Sequence, residues 1–334
     1  MRFTRVLAAT AATVLLATAG CAQEAANEEA GEKAAAGFPE KSKSITFIVP
    51  YSAGGPADSQ ARVAATLLEK ELGARVLVLN KPGGNTVVGL TELANAKPDG
   101  YTFGMISMPN ALAWIWPGQN APYKKESFTW FSSLSDITDV VAVNADSPYQ
   151  SMADLVAAAK AKPGQLIASI EGAQSTDNLA ITNLEKAAGI DLKTAIYATG
   201  AAEKVAALLG KQIDVATLTV ATAKPQVDAG KFRILATLSK EPISQYPQVP
   251  TVASLGYDVT SETYYTVVVP AGTPDAIRST LEAAMMKVGA SSEYQEKISA
   301  LGLTPKTRSA AEVTALVPEV EARTTESLQR LGAS

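Results

Sequence analysis

Three glycine-bearing turns contain the residues of this sequence that are best suited to bind an anion. They are Ser52–Pro56 (SAGGP), Asn80–Gly89 (NKPGGNTVVG) and Glu171–Asn178 (EGAQSTDN). Each lies between a strand-like run and a helical pattern, where backbone N–H groups and the helix dipole favour an anion. None is a G-x-G-x-x-G or Walker motif, so a carboxylate is favoured over a polyphosphate. Any one glycine pair could simply form a tight turn, but three that meet at one cleft favour a binding site.

Histidine is absent from the sequence, and cysteine occurs once, at Cys21. Ser-His-Asp triads, Cys-His pairs, His-ligated metals, internal disulfides and CxxC motifs are therefore excluded. No S-x-x-K sequence occurs, which removes a common His-independent serine nucleophile. Paired carboxylates or an isolated lysine could still support an enzyme. The residues nevertheless favour a binding protein that uses no metal or cofactor.

The composition is that of an ordinary globular protein. The chain has 334 residues, 47% of them apolar, and a formal net charge of −4. This length suits two domains. The slight negative charge and the lack of a long basic block argue against a nucleic-acid partner.

The N-terminus has the features of an export signal. Arg2 and Arg5 precede an apolar run that ends in small residues, and this run is shorter than the roughly 20 residues that a spanning helix needs. We predict a signal peptide over residues 1–20 and lipidation of Cys21, because Ala-Gly-Cys resembles a bacterial lipobox. A plain signal peptide with an incidental cysteine is the alternative. Residues 21–43 are rich in Ala, Glu, Gly and Lys and predict a flexible tether.

From Ser44 onward, short β-branched runs alternate with helical patterns. In PADSQARVAATLLEKELG, Pro56 and Asp58 lie in the first helical turn, and Gly73 ends the helix. Alternation of this kind predicts βαβ units and an α/β fold with two mainly parallel open sheets.

Two strand-rich stretches interrupt this alternation. We expect them to form crossovers near Asp139–Asp146 and Asp258–Pro270, between two lobes that close on a ligand. The predicted boundaries are 44–140 with 263–334 for the first lobe and 141–262 for the second. In open α/β sheets ligands bind beyond the carboxyl ends of the strands, so the glycine turns would face the cleft.

Four further side chains have two interpretations each. Asp58 could contact a ligand, but an ion pair with Arg62 at i+4 is favoured, because a carboxylate would repel an anion. Lys81 could steer an anion inward, although a solvated lysine is the simpler expectation. Tyr264 and Tyr265 could line the cleft or belong to the core.

Several segments occur together in an order that resembles one known family. They are VPYSAGGPADSQAR, LNKPGGNTVVGLTELANAKPDGYTFG, AALLGKQIDV, AGKFRILA, QVPTVASLGY and VVPAGTPDAIRSTLEAA. The ordered set resembles the extracytoplasmic solute-binding receptors of tripartite tricarboxylate transporters, the TctC or Bug family. The match extends from Ser44 to about Leu331.

The resemblance implies a two-lobed periplasmic-binding-protein fold of the second type. It also implies a small organic carboxylate, of the di- or tricarboxylate type, held by backbone amides of Ser52–Pro56 and gripped by Gly172–Asn178. The expected protein partners are a large and a small integral membrane subunit. The lipid on Cys21 would hold the receptor to the bilayer, in the periplasm or at the cell surface. A ligand-sensing lipoprotein of a signalling system is the alternative.

This sequence departs from the family pattern at a few positions. Asn178 replaces a common His, Thr266 replaces a common Gly, and Tyr264 replaces a common Trp. We expect these changes to touch the rim and the far end of the cleft. The expected ligand-binding residues are Tyr51, Ser52, Ala53, Gly54, Gly55, Ser107, Gly172, Ser175, Thr176, Asn178, Gly200 and Tyr264.

Overall fold

The protein is described from a computed structural model that covers residues 37–84, 86–109, 121–172, 175–197 and 201–330. The predicted signal peptide, Cys21, most of the tether and Gly200 lie outside the described residues. Within these ranges, no helix combines the length and apolar character that a membrane crossing requires.

The chain first builds three parallel strands with two intervening helices, as the alternation predicts. Strand β1 pairs with β2 on one side and with β3 on the other. The elements are β1 (Ile45–Val49), α1 (Pro56–Leu72), β2 (Val76–Asn80), α2 (Val87–Ala94) and β3 (Thr102–Met108).

A second set of parallel strands follows a single long strand, β4. Strand β5 lies between β6 and β7 and is parallel to both. The elements are β4 (Phe128–Asn144), α3 (Met152–Ala161), β5 (Ile167–Ile170), α4 (Thr176–Ala188), β6 (Lys193–Ile196), α5 (Ala201–Leu209), β7 (Val215–Thr219), α6 (Val220–Asp228) and β8 (Phe232–Thr237).

The chain then returns to the first set of strands. Strand β9 is antiparallel to both β3 and β4, and the short β10 also pairs with β4. The elements are β9 (Glu262–Pro270), α7 (Asp275–Ala290), α8 (Ser292–Ala300), β10 (Thr304–Pro305) and α9 (Ala310–Arg330).

Strand β4 belongs to both halves of the molecule, because it pairs with β9 along its first part and with β7 and β8 along its last. The order β2-β1-β3-β9-β4-β7-β5-β6 therefore runs through one curled, mixed sheet. This confirms the predicted α/β, two-lobed architecture; the antiparallel pairs come from the long crossover strands. We call the part built on β1–β3 the first lobe and the part built on β5–β8 the second lobe. The exact residue boundaries stay predictions.

The two chain connections meet where β4 leaves the first lobe. Asp139 of β4 donates its backbone N–H to the carbonyl of Ser261, 3.2 Å away, and the Ser261 hydroxyl donates to Asp139 Oδ2 at 2.5 Å. Both residues lie within or next to the predicted crossovers.

Helix α2 lies unusually close to the end of β1. A Cβ atom at Gly89 would lie 2.8 Å from the Lys81 carbonyl oxygen and 2.9 Å from Pro50 Cβ. Since Pro50 directly precedes the first glycine turn, this contact helps to position it.

Gly89→Ala should destabilise the protein, although alanine is the better helix former. We expect a loss of about 2 kcal/mol, because overpacking against backbone atoms forces a shift. Chemical denaturation measures it, with Gly172→Ala as the control, since a Cβ there meets nothing within 4 Å. Unchanged stability of Gly89→Ala would contradict the close packing.

Candidate functional site

The first glycine turn is exposed and leads directly into helix α1. Ser52, Ala53 and Gly54 are exposed. Gly54 has φ +86, a left-handed conformation that disfavours any residue with a Cβ. Gly55 is the N-cap of α1 and has an extended backbone, and Pro56 follows in the first turn. The turn therefore presents backbone groups at a helix N-terminus, as predicted.

The buried carboxylate of Asp58 holds this turn in place. Its Oδ2 atom accepts the Gly54 N–H at 2.8 Å and Arg62 Nε at 3.0 Å. Its Oδ1 atom accepts Asn80 Nδ2 at 3.0 Å and faces Arg62 at 2.9 Å. Asn80 also donates to the Tyr51 carbonyl oxygen at 3.1 Å. The predicted Asp58–Arg62 ion pair is thus present, and it is one part of a network that joins the turn to the end of β2.

The surroundings of Asp58 favour its ionised form. Burial alone would raise its pKa, but the hydrogen bonds from Arg62, Gly54 and Asn80 outweigh burial and lower the pKa of Asp58 below its ordinary value of 3.8. The carboxylate is therefore charged throughout the physiological range.

Tyr51 and Ser107 meet beside the same turn. Their hydroxyl groups are hydrogen-bonded to each other. The Tyr51 ring also packs edge-on against Tyr265, with ring centroids 6.3 Å apart. The ends of β1, β3 and β9 are joined in this way, and Tyr265 is a buried core residue.

The second-lobe loop begins helix α4. The Ser175 hydroxyl caps this helix by accepting the Asn178 N–H at 3.4 Å, and it accepts the Gly172 N–H at 3.2 Å. It donates to the Gly172 carbonyl oxygen at 2.6 Å. Thr176, the first residue of α4, is exposed. Four predicted ligand-binding residues therefore lie together in one capped loop.

A buried lysine lies beneath that loop. Lys204 of α5 bonds to Asp177 at 2.9 Å and to Glu171 at 2.8 Å. Both Lys204 and Asp177 are buried, whereas Glu171 is exposed. Burial opposes the charge of Lys204, but its two carboxylate partners more than compensate and raise its pKa.

A cavity of about 90 Å³ lies between the lobes. Thr176 contributes from α4, Pro109 from the end of β3, Tyr264 from β9 and Arg323 from α9. The Tyr264 side chain is buried, and its hydroxyl donates to Glu262 at 3.0 Å and accepts from Arg323 at 3.2 Å. Thr176 and Tyr264, both predicted ligand contacts, thus line one cavity.

The second glycine turn, Asn80–Gly89, contributes mainly to the scaffold. Asn80 joins the Asp58 network, and Lys81 forms an ion pair with Glu92 at 3.0 Å. A Cβ at Gly83 would lie 2.9 Å from Val88, so this glycine permits close packing. The ion pair with Glu92 argues against the steering role considered for Lys81.

Thr266 does not lie where the sequence suggests. It is fully buried within the sheet, donates to the Ile106 carbonyl oxygen at 3.0 Å and accepts from Trp130 Nε1 at 3.2 Å. The expectation that this position touches the rim of the cleft is wrong, because β9 lies inside the sheet and the Thr266 hydroxyl is bonded to both neighbouring strands, β3 and β4.

Sequence reasoning placed Asn80 and Asp177 in the glycine turns without giving them a supporting role, and it missed Lys204 and Arg323. Asp177 carried the only usable signal, as an acidic residue in the first turn of a predicted helix. Lys204 and Arg323 look like the solvated residues of amphipathic helices. In the described part of the chain, no group of three His, Cys, Asp or Glu side chains could hold a metal ion.

The fold, with a glycine turn at a helix start in each lobe, is that of a two-lobed solute-binding protein. Comparisons agree: the sequence model described as "Tripartite tricarboxylate transporter family receptor", TctC, matches residues 60–333. The chain belongs to this receptor family, and it is a substrate-binding protein and not an enzyme.

Individual relatives support the same assignment. The "UPF0065 protein in gbd 5'region" of Cupriavidus necator is 31% identical over 269 residues, which cover 80% of each chain. A TctC solute-binding protein from Polaromonas has a TM-score of 0.78 at 26% identity, covering 88% of this chain and 99% of that one. An R. palustris protein solved with adipate shares the fold, with a TM-score of 0.66 at 23% identity, covering 88% of this chain and 98% of that one.

Asp58→Asn should lower the free energy of unfolding by about 3 kcal/mol at pH 7, because an amide nitrogen would face buried donors and Arg62 would lose its partner. Because the folded pKa of Asp58 is lowered from 3.8, its stabilisation is present above about pH 4 and is lost as the pH falls through the folded value. Denaturant titrations from pH 7 to pH 2.5 measure both effects.

Asp275→Asn is the matched control, since Asp275 also lies in a first helical turn and pairs with Arg278 but is exposed. It should change stability little at any pH. A gap between wild type and Asp58→Asn that persists unchanged at low pH would contradict the assigned role of the carboxylate.

Proposed function

We propose that the protein captures a small organic carboxylate outside the cytoplasm and delivers it to a tripartite tricarboxylate transporter with one large and one small integral membrane subunit. The observation that carries this proposal is the exposed turn Ser52–Pro56, set at the N-terminus of α1 by the Asp58 network. Family membership supports the transporter, and the adipate-bound relative of similar fold supports a carboxylate.

The turn would bind one carboxylate through its backbone. Asp58 already accepts the Gly54 N–H, so the N–H groups of Ala53 and Gly55, next to the helix N-terminus, would face the ligand. Bonds of this kind, from a neutral donor to a charged acceptor, contribute about 1.5–3 kcal/mol each. Tyr51 and Ser107 would form the wall beside the carboxylate.

The other lobe would hold the far end of the ligand. Gly172, Ser175, Thr176 and Asn178 form its part of the site, and Gly200 would extend it. The lobes, at 44–140 with 263–334 and at 141–262, would close about the crossovers. The paired contacts between Asp139 and Ser261 suit a hinge, since they join the two connections at one point.

The protein would stay near its membrane partners through a lipid. In this proposal residues 1–20 are removed, Cys21 is acylated, and residues 21–43 tether the first strand to the bilayer. A lipid anchor keeps the receptor at the surface where the transporter lies.

Gly54→Val should weaken binding of an adipate probe at least tenfold, about 1.4 kcal/mol. A β-branched residue cannot adopt φ +86 without strain, so the turn must change its shape. Isothermal titration calorimetry measures the affinity, with adipate's diamide as a probe that cannot offer a carboxylate. The amide should not bind to the wild type.

Gly55→Ala is the control for this experiment. Gly55 has φ −82, and a Cβ there lies no closer than 3.9 Å to its nearest neighbour, Ser52 O. It should bind within about threefold of the wild type. Normal binding by a folded Gly54→Val, or equal binding of acid and amide, would place the carboxylate site elsewhere.

Cys21→Ser should abolish the lipid anchor. Because Cys21 is the only thiol of the chain, the variant should either stay uncleaved or leave the membrane fraction after processing. Fractionation and mass spectrometry of the N-terminus test this. Normal processing with unchanged membrane association would contradict the anchor.

A further inference from the structure

The helix starts at the two glycine turns, one in each lobe, differ in charge balance. At the first turn, one buried carboxylate, Asp58, pairs with one guanidinium, Arg62. At the second-lobe loop, Asp177 and Glu171 share one cation, Lys204. The first group is neutral overall, whereas the second carries one excess negative charge.

The two turns also differ in the N–H groups that they leave for a ligand. In the first turn, Asp58 takes up the Gly54 N–H. In the second-lobe loop, Asp177 accepts the N–H groups of Glu171 at 3.0 Å and Asn178 at 2.9 Å. The Gly172 N–H is bound by the Ser175 hydroxyl. At the start of α4 the protein's own carboxylate, that of Asp177, therefore takes up two of the described N–H groups.

Other charges near the cleft do not reverse this imbalance. Asp139 interacts with Lys204, Asp177 and Glu171, and burial raises its pKa to about 6, so it is largely ionised at pH 7.5. Across the cavity, Arg323 lies 3.8 Å from Glu319 and contacts Glu262 through the Tyr264 hydroxyl. Lys240 also pairs with Glu319, at 2.9 Å, so these two carboxylates and two cations form a group that is neutral overall.

From this charge distribution we propose that Asp177 and Glu171 select against a second carboxylate, so that the receptor prefers a monocarboxylate whose far end is neutral or cationic. This inference rests on the proposed function, because it assumes that the first carboxylate lies at Ser52–Pro56. Thr176, next to Asp177, lines the cavity between the lobes, which is where the far end would lie. The inference departs from the di- or tricarboxylate expected from the family resemblance.

The experiment compares acids of equal length that differ only at the far end. Hexanoate, 6-aminohexanoate and adipate form one series; butyrate, 4-aminobutyrate and succinate form a shorter one. Calorimetry at pH 7.5 should show the diacid binding at least tenfold more weakly than the better monoacid of its series, a difference of about 1.4 kcal/mol. The difference should shrink at high salt, because the repulsion is screened.

Glu171→Gln tests whether the charge of Glu171 causes the discrimination against diacids. It leaves Asp177 paired one-to-one with Lys204, the balance found at the first turn. Diacid binding should then improve about fivefold, while the neutral monoacid changes less than about twofold. Glu203→Gln is the matched control, because it removes one exposed charge beside Lys204 on the same helix.

The outcomes separate the two proposals. Diacids that bind as tightly as the monoacids in both series, or equal effects of Glu171→Gln and Glu203→Gln, would overturn the selectivity and leave the carboxylate receptor intact. Failure of every acid to bind would contradict the proposed function itself, and this inference with it.

Discussion

The first half of the cleft depends on the hydrogen bonds and the ion pair made by one buried, ionised carboxylate, that of Asp58. A turn with Gly54 at positive φ has no preferred shape of its own, because glycine adopts many conformations at similar energy. Asp58 selects one of them by binding the Gly54 N–H, and it connects that shape to Arg62 and Asn80. A flexible sequence thereby becomes a rigid group of donors. Preorganisation of this kind lowers the entropic cost of binding.

The order of the helices and strands could be predicted from local patterns, because the start and the end of a helix are set by residues that are close in sequence. Ser151 and Asp154 form a capping box at the start of α3, and Gly73 ends α1 in a left-handed conformation, as predicted. Helix α6 was missed, since it follows β7 without a loop and contains Pro225. A strand-rich stretch was predicted here, but not the single span of β4. Polar residues such as Ser135 interrupt its apolar pattern, and Ser135 is buried beneath helix α1, where its hydroxyl donates to Gln60 at 2.6 Å.

The candidate site also contains features that the sequence predicts and features that it does not. The glycine turns could be read from the sequence, because special backbone conformations leave a residue-type signature. The side chains that support them could not. Lys204 lies 27 residues from Asp177, and Asn80 lies 22 residues from Asp58. Arg323 lies 59 residues from Tyr264. Such pairs exist only after the chain has folded, and no period or motif relates their positions.

The sharing of strand β4 between the lobes affects how the protein unfolds. Its 17 residues belong to the sheets of both lobes, so each lobe completes its hydrogen bonding with a piece of the same strand. Neither lobe could melt without exposing unpaired backbone groups in the other, which is costly in a buried sheet. The two lobes should therefore lose structure in a single cooperative transition, and a separately expressed second lobe would begin with an incomplete, association-prone edge.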